Sequence, residues 1–540
     1  MSFEVYEHDL HGRLGRLKTK HGVVETPTIA PVVNPLKTPF PIRDLREKFN
    51  CDLIITNAYL ISKYYGEKAI ELGVHELLDF PGPVMTDSGA YQILLYGYID
   101  VNPDFILEYQ RSIGSDIGVI LDVPSAGAKD ARYSVNWSVK ETLRRALRAK
   151  LLKTEADDML LVAPIQGGMD LSLVRLSAHK LAKLNYDMYA VGSPTELMKD
   201  YRFDILVDIM AAARMHVPLS KPLHLFGAGH PIMLSLAVAL GYDSFDSASY
   251  ILYAKDGRYI TPQGTLRLEE MKELPCSCPV CSPRDISDIR ELPKDQRISL
   301  LAQHNLYVIL QEIRRIREAI YDGTLLRLLE LRSRAHPMMY RALLKLKKYI
   351  KLLERCDYAT KPNVRGIFFF DENSVLINPK VFRHKKWLKS RYKTGRPYLL
   401  LVEEPSEKPY HRDPYIASLL KELLNLRKFL DNFDVLFLSK AFILVPLELS
   451  ETYPFSQHEY GSINLRGDLL NEFIIFLKTF IEERSYKSVL ILISEHFDEK
   501  VMRLLKGLVV SSPIKITILS REGSLHEVKK IVKKLLQAQT

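Results

Sequence analysis

Polar and glycine residues end most of the apolar runs in about the first 250 residues, and they are the first candidates for chemistry. They are Asn57, Asp87, Asp122, Gln166, Gly192, Gly227 and Asp246. A single Asp at a strand end is more often a helix N-cap than a catalyst. If the runs are parallel strands of a barrel, however, their carboxyl ends meet at one rim, where the reacting groups of such enzymes lie. Three carboxylates and two amides at one rim therefore predict a polar catalytic pocket.

Asp87 lies in the segment MTDSGAYQ, which combines an acid with an aromatic ring. Ser88 and Gly89 allow a tight turn, and Tyr91 follows closely. A carboxylate beside a flat ring suits a planar heterocycle, as in the recognition of a base that has left its stack. The segment thus indicates a pocket for a nucleobase.

Three of the five cysteines fall within six positions, as Cys276, Cys278 and Cys281. Three thiolates and one imidazole complete a tetrahedral zinc shell and leave no open position for water. His304 is the predicted fourth ligand. The alternatives for this ligand are His216, His224 and His230. The spacing predicts a structural zinc site in a reducing compartment, against the alternative of a chance cluster of surface thiols.

Eight apolar, β-rich runs carry the strand-end residues. They are 26–33, 51–57, 83–87, 116–124, 159–168, 188–193, 222–229 and 243–249. Most are apolar on both faces, as buried parallel strands must be, and stretches of helical period separate them. Eight such units predict an α/β fold of the (β/α)8 TIM-barrel type. A doubly wound sheet is the competing fold, but the sequence has no Gly-rich nucleotide-binding turn after the first run.

The sequence changes character after Cys281. A long helical stretch covers about 299–355, and residues 359–362 resemble a linker. Beyond the linker, apolar runs again alternate with helical segments. We therefore predict a catalytic barrel domain over residues 1–355, with a zinc-binding insertion around 276–304, followed by a C-terminal α/β region over 360–540.

The composition is that of a folded protein. The 540 residues are 47% hydrophobic and 26% charged, which excludes a largely disordered, collagen-like or disulfide-framework protein. No apolar run approaches the ~18–20 residues needed to cross a bilayer, and the first residues, MSFEVYEHDL, lack the apolar stretch of a signal peptide. The sequence predicts a cytoplasmic protein with no membrane partner.

The net charge of +10 is concentrated in two stretches. Residues 312–355 carry an excess of seven cations and residues 380–396 an excess of eight. A local excess of cations is typical of a surface that binds a polyanion, although a solvated helix face gives the same pattern. In the second stretch Phe382, Trp387 and Tyr392 interleave the cations, and exposed rings among cations favour nucleic-acid binding.

Six motifs in order, MTDSGAYQ, IQGG, AVGSP, LHLFGAG, DSFDSASY and CSCPVC followed by HNL, resemble the tRNA-guanine transglycosylase family over about residues 1–350. The segments DSASYILYAKDGRYIT and VPLELSETYPFSQ are similar to the archaeal branch, which inserts a 7-deazaguanine at position 15 of the tRNA D arm. The resemblance implies exchange of guanine for 7-cyano-7-deazaguanine (preQ0) in archaeosine biosynthesis. It implies double displacement, without cleavage of the phosphate backbone.

Matched motif by motif, the resemblance implies roles for individual residues. Asp246 is the nucleophile that takes C1′ of the ribose, and Asp87 is the general acid/base. Asp122 and Gln166 read the edge of the base. The other predicted substrate-binding residues are Ser88, Tyr91, Gly168, Gly192, Ser193, Phe226 and Gly227.

The resemblance also implies partners. Zinc is the one expected cofactor, and tRNA and the free 7-deazaguanine base are the expected substrates. A homodimer is usual in the family. The final residues, SREGSLHEVKKIVKKLLQAQT, lack the pattern of the RNA-binding PUA domain, so a separate PUA-containing protein is a further expected partner. The predicted tRNA contacts are Lys385, Lys386, Lys389 and Arg391.

Two alternative functions are weighed against this interpretation. A non-catalytic or archaeosine-synthase-like tRNA-binding accessory protein is disfavoured, because Asp87 and Asp246 both stand in intact motifs. A bacterial-type or eukaryotic-type enzyme that acts on the anticodon is disfavoured by the long C-terminal region.

Overall fold

The computed structural model describes residues 2–90, 101–124, 134–154, 157–192, 195–358, 360–393, 395–461, 463–494, 497–511, 514–521, 523 and 525–538. The chain divides into two compact units, Met1–Ala359 and Thr360–Thr540, and each is described by itself. Among the helices within the described residues, none is both long and apolar enough to cross a membrane.

The first unit begins with a small antiparallel sheet that the sequence analysis did not predict. Its strands are β1 Phe3–Asp9, β2 Gly12–Thr19 and β3 Gly22–Thr26. The side chains of Phe3, Leu17 and Val24 are buried in one cluster with strand residues such as Ile55 and Met85. This sheet therefore packs against the interior of the structure that follows it and closes one end.

All eight runs predicted as strands form one parallel sheet. The strands are β4 Thr28–Pro31, β5 Ile54–Asn57, β6 Val84–Asp87, β7 Ile117–Val119, β8 Leu160–Ile165, β9 Met188–Val191, β10 Leu223–Leu225 and β11 Ser244–Ser247. Their order is β4-β11-β10-β9-β8-β7-β6-β5, and a parallel bridge between Val32 and Ile55 joins the two ends. The predicted TIM barrel is confirmed.

Side chains fill the barrel. Ala30, Ile55, Val119 and Val162, from four different strands, are buried in the same interior cluster. Strand β8 is buried along nearly its whole length, on both faces. Burial on both faces explains why the runs are apolar without alternation.

Helices alternate with the strands of the first unit. They are α1 Arg43–Glu47, α2 Ala58–Tyr65, α3 Glu67–Leu72, α4 Val74–Leu78, α5 Pro103–Ser112, α6 Val135–Leu152, α7 Leu171–Lys183, α8 Thr195–Lys199, α9 Phe203–Arg214, α10 Pro231–Ala239, α11 Ser249–Lys255, α12 Ile286–Arg290, α13 Lys294–Asp322, α14 Leu325–Ser333, α15 Pro337–Lys345 and α16 Ile350–Cys356, with a 3-10 turn at Leu346–Tyr349 and a hairpin of β12 Arg258–Thr261 and β13 Gly264–Arg267. Asn57 caps α2 by accepting from the Leu60 N–H, so the N-cap role considered for strand-end residues applies to it.

The last helices of this unit use part of the first basic stretch for packing. Arg332 makes two hydrogen bonds to the buried carboxylate of Glu312, at 2.7 and 2.8 Å. Arg317 donates to the backbone carbonyl of Pro27 at 2.7 Å. Several cations of the stretch 312–355 thus hold α13 and α14 in place, which is a structural role.

The second unit is an α/β structure, as predicted. Its strands are β14 Ile367–Phe369, β15 Tyr398–Glu403, β16 Phe433–Ser439, β17 Ile443–Pro446, β18 His458–Tyr460, β19 Ser488–Ile493 and β20 Lys515–Ser520. Its helices are α17 Glu372–Leu376, α18 Pro379–Ser390, α19 Pro414–Leu424, α20 Phe429–Asn432, α21 Gly467–Glu482, α22 Glu499–Ser511 and α23 Leu525–Gln537, with 3-10 turns at Tyr410–Arg412 and Leu447–Leu449. Five strands form a sheet in the order β17-β16-β15-β19-β20, parallel except for β17, while β14 and β18 pair separately.

Candidate active site

The structure brings the strand-end residues to the C-terminal rim of the barrel. Asp87 ends β6, and Asp246 is the third of the four residues of β11. The residues that follow β7, β8, β9 and β10 are Asp122, Gln166, Gly192 and Gly227. Because parallel strands end at the same edge of a barrel, these residues share one rim.

Asp87 is held by an amide and a backbone N–H. Asn57 Nδ2 donates to its Oδ2 at 3.2 Å, and the Gly89 N–H donates to the same oxygen at 3.3 Å. Since Asn57 Oδ1 caps α2, the nitrogen end of the amide faces Asp87. Burial, followed by the nearby carboxylates of Asp122 and Asp246, raises the pKa of Asp87 to about 7. A carboxyl group with this pKa can give and take a proton near neutral pH.

Asp122 and Gln166 form a hydrogen-bonded pair at the rim. The amide nitrogen of Gln166 donates to Asp122 Oδ2. Burial, partly opposed by this bond, raises the pKa of Asp122 to about 6. Gly192 borders the pair, and a Cβ at this position would lie 2.2 Å from Gln166 Nε2. Only glycine leaves room for the amide here.

Two donors hold one oxygen of Asp246. The Gly227 N–H donates to Oδ1 at 2.8 Å, and His224 Nε2 lies 3.1 Å from the same atom. Gly227 has a φ of +69°, in the left-handed region that glycine adopts readily. Among the described residues, Oδ2 of Asp246 has no hydrogen-bond partner. Within the described part of the chain, one carboxylate oxygen is therefore fixed, and the other is available to a reacting group.

His224 is a site residue that the sequence analysis considered only as an alternative metal ligand. It is buried in β10, and its Nδ1 lies 2.9 Å from Ser244 Oγ. If Nδ1 accepts from this hydroxyl, Nε2 carries the proton that is donated to Asp246. A signal was present in the sequence, because Ser244 and Asp246 are two residues apart on one strand and so face the same side. His224 is the register partner of Ser244 on the neighbouring strand.

The other predicted substrate-binding residues have different surroundings. Ser88 is buried, and its hydroxyl donates to a backbone carbonyl at 3.3 Å. Gly168 and Phe226 are half-buried at the rim, and Phe226 packs on the barrel core. Two predicted residues, Tyr91 and Ser193, lie outside the described residues. The substrate contacts of this group stay predictions.

The three clustered cysteines and His304 meet in one place, with their ligand atoms within 4.8 Å of one another. His304 Nδ1 lies 3.5 Å from Cys278 Sγ and 3.3 Å from Cys281 Sγ. Tetrahedral zinc with ordinary bond lengths separates such atoms by about 3.5 Å. His304 Nε2 lies 2.9 Å from the Ile260 carbonyl oxygen, and donation there leaves the Nδ1 lone pair for a metal. His304, rather than the other histidines considered, therefore completes a set of four residues that can hold one metal ion.

The predicted tRNA contacts belong to the second unit, on α18 or directly after it. They are Lys385, Lys386, Lys389 and Arg391. Lys385 forms an ion pair with Glu472, and the other three residues are exposed. Trp387 packs against the hydrophobic core of the unit, and Tyr392 is buried in it. The expectation that these two rings are exposed is wrong, because they lie on the side of the segment that packs against the core.

Comparison with known proteins decides the family. Residues 9–338 match the family model described as TGT, queuine tRNA-ribosyltransferase. The chain belongs to the TGT family. The match spans the barrel and the cysteine cluster, and it confirms the resemblance carried by the sequence motifs.

The chain is also similar to curated members of the TGT family from archaea. It is 43% identical to the tRNA-guanine(15) transglycosylase of Pyrobaculum aerophilum over 85% of this chain and 90% of that relative. It is 40% identical to the protein of the same name from Sulfolobus acidocaldarius, over 91% of this chain and 95% of that relative. It is 41% identical to the protein of the same name from Methanocaldococcus jannaschii, over 89% of this chain and 73% of that relative. The similarity therefore extends beyond the barrel into the second unit.

The contact between His224 and Asp246 generates a prediction for this TGT protein. His224→Leu removes the donor that orients the carboxylate, so we expect covalent tRNA–enzyme adduct to form about 100-fold more slowly, the cost of a misplaced reacting group. Binding of tRNA should change little. His224→Gln places an amide donor near the same position and should recover most of the rate. Single-turnover adduct formation measures the effect.

The exposed His179 supplies a matched control, since His179→Gln changes the same residue type away from the rim. A His224→Leu enzyme that forms adduct at the wild-type rate would remove the positioning role.

Proposed function

We propose that this chain is a tRNA-guanine(15) transglycosylase, a pentosyltransferase that exchanges guanine at position 15 of the tRNA D arm for preQ0 in archaeosine biosynthesis. The observation that carries the proposal is a rim that holds two acids in different surroundings. Asp87 has a pKa raised to about 7, whereas one oxygen of Asp246 accepts hydrogen bonds from two donors. The names of the archaeal relatives support position 15. The accessory-protein alternative has no comparable support.

The first half of the reaction uses both acids. Asp246 Oδ2 attacks C1′ of the ribose, and the bond from C1′ to the guanine nitrogen breaks. The electron pair leaves with guanine, which takes a proton from Asp87. The product is free guanine and a covalent ester between Asp246 and the tRNA.

The second half reverses these steps with a new base. Asp87, now ionised, takes the proton from the ring nitrogen of the incoming deazaguanine, and that nitrogen attacks C1′. The ester bond to Asp246 breaks and returns its electron pair to the carboxylate. Two displacements at one carbon retain the configuration, as in retaining glycosidases.

Base recognition falls to the paired side chains at the rim. An ionised Asp122 accepts from N–H donors of the guanine-like edge, and Gln166 pairs with its carbonyl. Their mutual hydrogen bond supports this assignment, since it orients both groups before the base arrives. Tyr91 and Phe226 would enclose the ring, as the family resemblance implies. The nitrile of preQ0 is assigned from the archaeal branch.

The cysteine cluster holds a structural zinc ion in this proposal. Three thiolates and an imidazole fill a tetrahedral shell, so no position stays open for a substrate. The reaction would take place in the cytoplasm, on tRNA and the free base. A homodimer and a separate PUA-containing RNA-binding protein complete the proposed partners.

Removal of the nucleophile gives the most direct test. Asp246→Asn keeps the size of the side chain but removes its charge, so exchange of labelled guanine into tRNA should fall by about 10⁴-fold or more. The covalent adduct seen on denaturing gels should disappear, while the Kd for tRNA stays close to that of the wild type. Asp243→Asn is a poor control because Asp243 pairs with the buried Arg13. The exposed Asp256 at the end of α11 is a better one. Wild-type exchange by Asp246→Asn would refute the assignment.

The raised pKa of Asp87 predicts a pH profile. The free enzyme must carry the proton on Asp87 to release guanine, so kcat/KM for tRNA should fall as pH rises through about 7, by about tenfold per unit above it. Steady-state exchange between pH 5.5 and 9, with the tRNA Kd followed in parallel, measures this limb. A kcat/KM that stays constant between pH 6 and 8 would contradict the role of Asp87 as the acid.

The second unit is proposed as the region that binds the phosphate backbone of tRNA. Lys386, Lys389 and Arg391 are exposed on or beside one helix, which supports contact with phosphates. Changing all three to Ser should weaken tRNA binding and lower the slope of log K against log salt by about 0.7–0.9 for each phosphate that is no longer bound. Affinity for the free base should not change. Fluorescence titration of tRNA at several salt concentrations gives both quantities.

The same unit offers a control matched in charge. Lys500, Arg503 and Lys506 are exposed on α22, and their change to Ser alters the net charge equally. An equal decrease in slope in both triple variants would indicate a general charge effect and would withdraw the assigned phosphate contacts.

A further inference from the structure

A second cluster of metal-binding side chains lies at the N-terminal end of the barrel, opposite the catalytic rim. His21 is in the turn between β2 and β3, His75 is in α4, and Asp116 directly precedes β7. We propose that these three residues bind a second zinc ion, distinct from the one assigned to the cysteine cluster.

The ligand atoms are already assembled. His21 Nδ1 lies 3.1 Å from Asp116 Oδ1, and His75 Nε2 lies 2.8 Å from Asp116 Oδ2. All the ligand atoms are within 4.8 Å of one another. Two ligands of a tetrahedral zinc ion with bonds of about 2.0 Å are separated by about 3.3 Å, so shifts of a few tenths of an ångström would admit the ion.

The charges at this site favour a cation. The Asp116 side chain is fully buried (0% exposed), yet among the described residues no Lys or Arg pairs with it. Buried carboxylates are normally paired with a cation or bound to a metal. The two imidazole rings are the side chains that face it within the described part of the chain, and their centroids are 3.8 Å apart. One divalent ion at this place would accept a lone pair from each ring and bring positive charge to the carboxylate.

Backbone groups fix the carboxylate in place. The N–H of His21 donates to Asp116 Oδ1 at 2.8 Å, and the N–H of Val84 donates to Oδ2 at 2.9 Å. Hydrogen bonds from outside the ligand shell orient metal ligands in this way. The His21 side chain is 37% exposed and gives an ion a route from solvent, whereas that of His75 is 19% exposed.

The ion would stabilise the fold by cross-linking three elements. It would tie the turn of the N-terminal sheet to α4 and to the start of β7, which are elements distant in sequence. The site is remote from Asp87 and Asp246 because it lies at the opposite end of the strands. Its loss should therefore leave the exchange rate unchanged and should lower the melting temperature of the zinc-loaded protein.

The test is a zinc titration of the full-length, chelator-treated protein, with bound metal counted by equilibrium dialysis. We expect two zinc ions per chain in the wild type. His21→Gln and His75→Gln each keep a hydrogen-bond donor to Asp116 but remove a metal ligand, so they should bind one ion per chain at the same zinc concentration. Their affinity for the second ion should fall at least about 100-fold, since loss of an outer-shell partner alone costs about 10–100-fold.

Two further variants separate the sites. Cys278→Ser should lose the ion bound by thiolates and, in a cobalt titration, the thiolate charge-transfer absorption, which both histidine variants should retain. His411→Gln is the matched control, because the exposed His411 faces a single acid, Glu451, at 2.8 Å. It should still bind two ions.

The proposal is overturned if the wild type binds only one zinc ion and Cys278→Ser loses it. It is equally overturned if His21→Gln and His75→Gln keep the second ion. Either result would mean that the three residues only form hydrogen bonds with one another and bind no metal.

Discussion

The rest of the active site depends on the closure of the barrel between β4 and β5. The join is narrow: the Val33 N–H donates to the Ile55 carbonyl at 2.8 Å, beside a single bridge at Val32. Without it, β4 and β5 would be the two edges of an open sheet. Asp87 on β6 and Asp246 on β11 would then stand five strands apart, about 24 Å at the usual strand spacing. Closure curls them towards each other, and the charge of Asp246 helps to raise the pKa of Asp87.

Much of this arrangement could be predicted from the sequence, because buried strands have a distinct pattern of apolar residues. Strands packed on both faces must be apolar throughout, so all eight barrel strands were predicted, and the order of the motifs indicated the family. The N-terminal sheet was missed, since the residues of β1, FEVYEHD, are mostly polar or charged and only the first and the last of them are buried. His224 was missed as a partner of Asp246 because the contact joins residues 22 positions apart on neighbouring strands.

The basic helix α18 shows a different limit of sequence reasoning. Cations and aromatic rings alternate along it, and composition alone does not reveal which of them face the same side. Val381, His384 and Leu388 are buried at helical spacing, and this stripe defines the core-facing side on which Trp387 also packs. The helical spacing of the apolar residues should therefore be read before the composition. It identifies the residues that pack against the core, and the cations on the other side of the helix are then the candidates for binding a polyanion.

The two ends of the barrel have opposite physical requirements. At the N-terminal end, Phe3, Leu17 and Val24 pack into the apolar interior of the barrel. At the catalytic rim, burial and the carboxylates of Asp122 and Asp246 raise the pKa of Asp87 to about 7, well above the ordinary value of 3.8 for an aspartate. The native state then holds this proton more tightly than the unfolded chain, so stability falls as pH rises between about 4 and 7. A rim tuned for proton transfer thus weakens the fold near neutral pH, and the burial of apolar side chains such as Phe3, Leu17 and Val24 must offset this loss.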